Sequence, residues 1–419
     1  MYTKPIDEIE FPDIEHFVAK RNRESIILDY KGDWPSDLAK TMAAMANTQG
    51  GLVLVGVKEE HHSGYPGEIV GVDIGGGEDR IGQKAGQIAY QAVYPPLMPE
   101  IRVCRLDTTG DRAVVVIRIA PSNRTPHATD NRRKVYVRVD SRSEPQELAT
   151  LDQLNVLWAG RRKAEEAREA LVANAVERSE WFLEHQSKRS NRDTRFEKWP
   201  FLRVWVVPSF FTGNEALSLE AVAELVTGYL RNRPVTDVQC PSGSITFPRD
   251  RGEARSIPMG YCIYSRELPP GEYVELSTSG LVFADVCPAW YDKQKGSLAL
   301  NFALILASID GLLKTAELAH RESQMWGLLR IEAVLHQVSG CRFEFARGTI
   351  LQPSRDYRCP NQRLPLVKET VHKRALGNAR PGIVNRAARS LLWSTGCSWD
   401  AEIFDRWFSQ NTRYGALSE

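Results

Sequence analysis

Residues 35–57 constrain what this chain can fold into more than any other stretch. PSDLAKTMAAMANT reads as a helix capped by Ser36 or Asp37, and Gly50-Gly51 ends it. LVLVGV at 52–57 follows at once, a continuous apolar run of strand length. Asn47 is suited to satisfying loose backbone groups at the helix end, while the two glycines permit the positive-φ turn that drops the chain into a core strand.

The flanking segments supply partners for that strand. ESIILDYK (24–31) reads as a strand of mixed pattern, and VGV (70–72) as a short strand after a polar turn. Ile81, Ala85, Ile88 and Ala92 carry helical spacing over 78–93, stopped by the proline-rich YPPLMP at 94–99. Strands follow at 101–107, 112–120 and 135–140, the last alternating apolar and polar as a half-buried strand does. The order predicts an α+β fold, a mixed sheet with packed helices.

The chain's 419 residues exceed one ordinary domain, since single cores stop growing at roughly 250 residues. The predicted organisation is an N-terminal domain over 1–155, a charged helical linker over 156–195 and an uncharacterised α/β domain over 196–419 that senses a ligand or binds a partner. The linker rests on 157–190, a long charged segment without Gly or Pro after Gly160, whose charges read as a solvated helix face. Beyond it, strands are expected at 203–210, 245–249, 260–268 and 273–286. Helices are expected from Ser297 to about His336, at 366–376 and at 383–393. Trp205, Trp290, Trp326, Trp393, Trp399 and Trp407 read either as core or as a binding surface.

A net charge of +1 excludes a uniformly basic nucleic-acid coat protein, so positive potential must come in patches. One patch is evident: Arg124, Arg132, Arg133, Lys134, Arg138 and Arg142 stand against only Asp130 and Asp140. With Tyr136 and His127 in the same segment, it suits phosphate contact and base stacking; a solvated loop is the alternative. Seven scattered cysteines, with no CxxC pair, predict a reducing, cytoplasmic location. The acidic N-terminus lacks the pattern of a signal peptide, and the apolar stretch Leu298–Leu313 is too short for a bilayer and holds Asn301 and Asp310.

Three motifs in order resemble the Schlafen AlbA-like domain over most of residues 20–155. They are Glu24-Ser25 leading to Asp29-Tyr30-Lys31, then Ala44-Met45-Ala46-Asn47-Thr48-Gln49-Gly50-Gly51 running into Leu52–Val57, then Val135-Tyr136-Val137-Arg138-Val139. The family prefers Glu and Phe where this chain has Asp29 and Tyr30. The resemblance implies nucleic-acid binding, of DNA or RNA, in a regulatory or defence role. In the family's nucleases it also implies a metal-dependent RNase acting on tRNA-like RNA. There, acids at the positions of Glu24 and Asp29 join a third acid after the Gly-Val strand, binding Mg²⁺ or Mn²⁺ that would position water and neutralise the scissile phosphate. Nuclease Schlafens use two such lobes, so the resemblance also implies a homodimer.

Here Lys58 occupies the slot of the third acid, and Glu59 must shift in to complete a trio with Glu24 and Asp29, with Lys31 left to hold the phosphate. Strict alternation puts Glu24 and Asp29 on opposite faces of a strand, so a bulge or twist is needed to converge them. Alternatively the acids pair with nearby basic residues, or a fixed ammonium from Lys58 neutralises them and leaves a binding domain with a dead site. A protein-interaction module without either role is the third reading. Gly75-Gly76-Gly77 lacks a following Gly-Lys-Ser/Thr and is no phosphate loop, and His61-His62 on a polar turn reads as exposed.

Overall fold

The computed structural model describes residues 4–60, 63–75, 77–107, 111–122, 124–139, 142–148, 150–189, 199–209, 216–232, 235–240, 243–246, 253–264, 272–321, 328–344, 358–394 and 401–414. It divides into two compact units, Met1–Glu166 and Ala167–Glu419. The division falls inside the helix Leu151–Arg189.

The first unit runs α1 (Phe11–Ala19), β1 (Leu28–Lys31), α2 (Leu38–Ala46), β2 (Gly51–Val55), β3 (Val57–Glu59), β4 (Pro66–Ile69), β5 (Val72–Asp73) and α3 (Glu78–Gln91). It continues through β6 (Glu100–Arg105), β7 (Arg112–Ile119), β8 (Ala128–Thr129), β9 (Lys134–Val139) and β10 (Arg142–Glu147) into α4 (Leu151–Arg189). A mixed sheet is ordered β1-β2-β7, with β6 on the far side of β7 and β5 on its first residues. β1 and β2 are parallel and the rest antiparallel. A second, antiparallel sheet is β10-β9-β8.

The unbroken apolar run of β2 follows from burial on both faces. Leu52 and Leu54 join Val114 and Val116 of β7 against Ile14 and Phe17 of α1, while Val53 and Val55 join Val115 and Ile117 against α2 and α3. Period-2 alternation thus sorts one strand between two cores. Gly50 is required where it stands: its φ is +72°, and a Cβ there would lie 2.4 Å from the Ile119 carbonyl oxygen.

The second unit contains β11 (Phe201–Pro208), α5 (Leu219–Asn232), β12 (Val235–Cys240), β13 (Gly243–Thr246), β14 (Glu253–Ile257), β15 (Gly260–Tyr264), β16 (Glu272–Ser277) and β17 (Val282–Val286). Then come β18 (Ala289–Asp292), β19 (Ser297–Asn301), α6 (Phe302–Arg321), β20 (Leu328–His336), β21 (Arg342–Glu344), β22 (Arg363–His372), α7 (Leu376–Ser394) and α8 (Ala401–Asn411). Seven strands form an antiparallel sheet in the order β14-β15-β16-β17-β11-β20-β22. The α+β class therefore holds for the chain, but the second domain, expected as α/β, is built on an antiparallel sheet and is α+β as well. One face, including Leu202, Val204 and Val206, packs against α5, α6, α7 and α8; the other, including Val207, Tyr273 and Phe283, packs against Ala175 and its neighbours on α4.

The helical stretch expected from Ser297 to about His336 holds as α6, but its last part is a strand, as is most of the helix expected at 366–376. Residues 328–336 and 363–372 pair with one another along their length, and long-range pairing overrides the helical preference of Lys, Glu and Leu. The expected strand over 273–286 is two, β16 and β17, turned about Gly280 at φ +82°. The charged part of α4 is also not all solvated. Arg178 makes a two-pronged contact with buried Glu275 at 3.0 and 2.5 Å, and Ser179 donates to buried Asp285 at 2.8 Å. Of the tryptophans, Trp407 is buried and Trp393 exposed, and Trp326 and Trp399 lie outside the described residues.

Candidate nucleic-acid interface and acidic cluster

Glu24 and Asp29 converge because the expected strand over 24–31 begins only at Leu28. Ser25 and Leu28 close a tight turn on each other, Ser25 N–H to Leu28 O at 3.1 Å and Leu28 N–H to Ser25 O at 3.3 Å. This folds Glu24 back so that its carboxylate accepts the Tyr30 N–H at 2.8 Å. Burial, then repulsion from Asp29, pushes the Glu24 carboxyl up to about 8 against that hydrogen bond. The Glu24 and Asp29 carboxyls thus stand close enough for each to oppose the other's charge.

Asp29 is 1% exposed, and each of its oxygens already has a cation. Lys31 Nζ lies 2.9 Å from Oδ1 and Arg138 Nη1 3.0 Å from Oδ2. Burial works against the Lys31 charge, but the Asp29 carboxylate outweighs it and raises the ammonium above the ordinary lysine value. Glu59 stands at the edge of this group, close enough to add repulsion on Glu24, while its own Oε1 accepts the Gly64 N–H at 2.5 Å. Lys58 is exposed, lies over Gly32 and makes no ion pair with a described residue. The cations that neutralise the acids are thus Lys31 and Arg138.

These contacts decide whether a metal fits. A divalent ion needs carboxylate oxygens aimed at a shared point. Here both oxygens of Asp29 face cations, and Glu24 Oε1 accepts the Tyr30 N–H. Among the described residues, no group of three or more His, Cys, Asp or Glu side chains is placed to hold a metal ion. The trio Glu24, Asp29 and Glu59 does not fit Mg²⁺ or Mn²⁺.

The basic segment splits by burial. Arg138 is 3% exposed and turned inward, its Nη2 donating to the carbonyls of Ser25 at 2.7 Å and Leu28 at 3.3 Å. It was expected on the binding surface; the structure places it as an internal strut between β9 and β1. His127 and Tyr136 are buried as well. His127 Nδ1 lies 2.7 Å from the Pro95 carbonyl, which only accepts, so Nδ1 carries the proton and Nε2 accepts from Ser122 Oγ at 2.6 Å. Arg124, Arg132, Arg133 and Lys134 remain exposed, Lys134 paired with Glu147 at 3.0 Å. The Arg142 side chain lies outside the described residues, as do His61, His62 and Gly76.

Asn47 explains why the motif after α2 and the motif in β9 occur together. Its Nδ2 donates to the His127 and Tyr136 carbonyls at 2.9 and 2.8 Å, and its Oδ1 accepts the His127 N–H at 2.7 Å. Thr48 Oγ1 accepts the Arg138 N–H at 3.0 Å. The end of α2 thereby clamps β8 and β9 and aims Arg138 at Asp29.

Residues 24–147 match the family model described as Schlafen, AlbA_2. The rest of the chain matches no family, and no curated protein matches the chain. The AlbA_2 match links the first unit to a nucleic-acid-related function. Sequence reasoning passed over two aromatics of this segment. Tyr65 is exposed beneath Arg21 and Arg23, at 5.5 and 5.8 Å from their guanidinium carbons, and Tyr94 lies beneath Arg132 at 4.0 Å. The signal for the first was the Arg21 and Arg23 pair just before Glu24; Tyr94 had none beyond its place before the prolines.

Proposed function

We propose that the AlbA_2 unit binds DNA or RNA without cutting it, in a regulatory or defence role, with the exposed Arg124, Arg132, Arg133 and Lys134 as its phosphate contacts. The observation that supports the reading is the pairing of Asp29: the Lys31 ammonium and the Arg138 guanidinium lie beside its two oxygens, where a catalytic metal would have to compete with two fixed cations. The acids then serve to hold Arg138, and through it β9, against β1. The five described free cysteines, all buried, fit a reducing cytoplasm. The reading extends to a homodimer that doubles the basic surface, and to the second unit as the part that meets a ligand or partner protein.

The test incubates purified protein with tRNA and with duplex DNA, with Mn²⁺ and with chelator. Binding that survives chelator, with the nucleic acid left intact, is expected. Cleavage that needs Mn²⁺ and disappears in Glu24→Gln, with the variant melting as wild type, would make the unit a Schlafen-type RNase instead. Absence of any binding would leave a protein-interaction module.

A further inference from the structure

The Tyr94 ring and the turn between β8 and β9 are joined through backbone. Tyr94 N–H donates to the Ala128 carbonyl at 2.8 Å and Ala128 N–H returns to the Tyr94 carbonyl at 2.7 Å. The segment after α3 is therefore pinned to the hairpin whatever side chain stands at 94. The turn itself is unusual. Asp130, Asn131 and Arg132 follow one another at φ 51, 57 and 70°, three left-handed residues without a glycine. Asp and Asn tolerate that region, but an arginine there is strained.

That strained conformation puts the Arg132 guanidinium 4.0 Å from the ring centre of Tyr94, a residue that stays 49% exposed. Neither Arg132 nor Arg133 has a carboxylate partner among the described residues. The acid in the turn is engaged elsewhere, Asp130 Oδ2 accepting the Tyr136 hydroxyl at 3.3 Å, and Lys134 is held by Glu147. An open aromatic face, a guanidinium over it and an adjacent unneutralised cation have one natural complement, a planar base joined to a phosphate.

We propose that Tyr94 and Arg132 form a stacking subsite for an unpaired base of a single-stranded nucleic acid, with Arg133 meeting the adjoining phosphate. The inference rests on the nucleic-acid-binding reading and adds the strandedness. A duplex hides its base faces in the stack, so it can meet the arginines but has nothing to lay on Tyr94. The left-handed Arg132 is then retained for its ligand, since a glycine would form the turn with less strain.

The experiment measures anisotropy of labelled oligo-uridine and of a labelled DNA duplex with the full chain and with Tyr94→Phe, Tyr94→Leu and Arg132→Gly. Loss of one stacked base corresponds to about tenfold in affinity. Tyr94→Leu and Arg132→Gly should each lose that for the single strand, while Tyr94→Phe should bind as wild type and duplex affinity of Tyr94→Leu should stay within about twofold. Arg132→Gly should melt no lower than wild type, which separates lost contact from lost fold. Wild-type affinity for oligo-uridine in Tyr94→Leu, or equal losses for both ligands, overturns the subsite and leaves the broader reading standing. A wild-type chain that binds neither ligand overturns both.

Discussion

Replacing Arg138 tests the view that the acidic cluster is a structural joint. Arg138→Met keeps most of the side-chain volume and removes the charge. It takes from buried Asp29 the guanidinium at 3.0 Å and leaves the Ser25 and Leu28 carbonyls without that donor. Breaking a buried pair by removing one partner costs about 3–5 kcal/mol, because the other charge stays buried. Lys31, still 2.9 Å from Oδ1, offsets part of this, so about 3 kcal/mol is the expected loss. At a few degrees per kcal/mol for a unit of this size, the melting temperature should fall by on the order of 10 °C. Urea denaturation read by hydrogen exchange in peptides from Met1–Glu166 counts the unfolding of that unit alone. Asp29→Asn should be similarly damaging, and the two changes together should cost less than their sum by about 2 kcal/mol. The reasoning fails if Arg138→Met is as stable as wild type while nucleic-acid affinity drops about tenfold, since that would return Arg138 to the binding surface.

Three further outcomes follow from the same contacts. Asn47→Ala should destabilise the first unit by about 3 kcal/mol in urea melts, and Asn47→Asp by no less, because a carboxylate keeps the bond from His127 N–H but sets a charge against two carbonyls. Converting Arg132, Arg133 and Lys134 together to Ala should lower nucleic-acid affinity and flatten its dependence on salt, with an unchanged slope moving the interface elsewhere. Burial holds the His127 imidazole down at about 4, with Arg124 and Arg161 adding repulsion, so the unfolded chain takes up a proton between about 6.5 and 4 that the folded one refuses. Stability should therefore fall as pH drops through that window, by roughly 3 kcal/mol at most, and His127→Gln should flatten the fall relative to wild type.

Local pattern carried the first unit further than the second. In α2, β2, α3, β6, β7 and β9 the apolar spacing has one interpretation, and each element lies within a few residues of its expected bounds. In the second unit, β22 contains LVKETV, a sequence equally at home in a helix, and becomes a strand because β20 lies beside it. Nothing local to residues 363–372 encodes the presence of a partner some thirty residues earlier. The same limit explains α4, whose charges look solvated until buried Glu275 and Asp285 are seen to face Arg178 and Ser179.

The candidate site shows the limit in sharper form. Period-2 alternation correctly forbids Glu24 and Asp29 from meeting on one strand, and they meet because the Ser25–Leu28 turn takes Glu24 off the strand altogether. Arg138 was equally legible as a basic residue and illegible as an internal one. It sits in an alternating strand whose inward face is set by Asn47 and Thr48, ninety residues away along the chain. The three motifs are thus one arrangement: the helix end orients β9, β9 delivers Arg138, and Arg138 neutralises the acid that opens β1. A metal drawn to Asp29 would compete with Lys31 at Oδ1 and with Arg138 at Oδ2, and displacing Arg138 would loosen β9, which carries the basic turn at its start. In this chain, metal ligation at Asp29 and a firmly held basic hairpin compete for the same carboxylate.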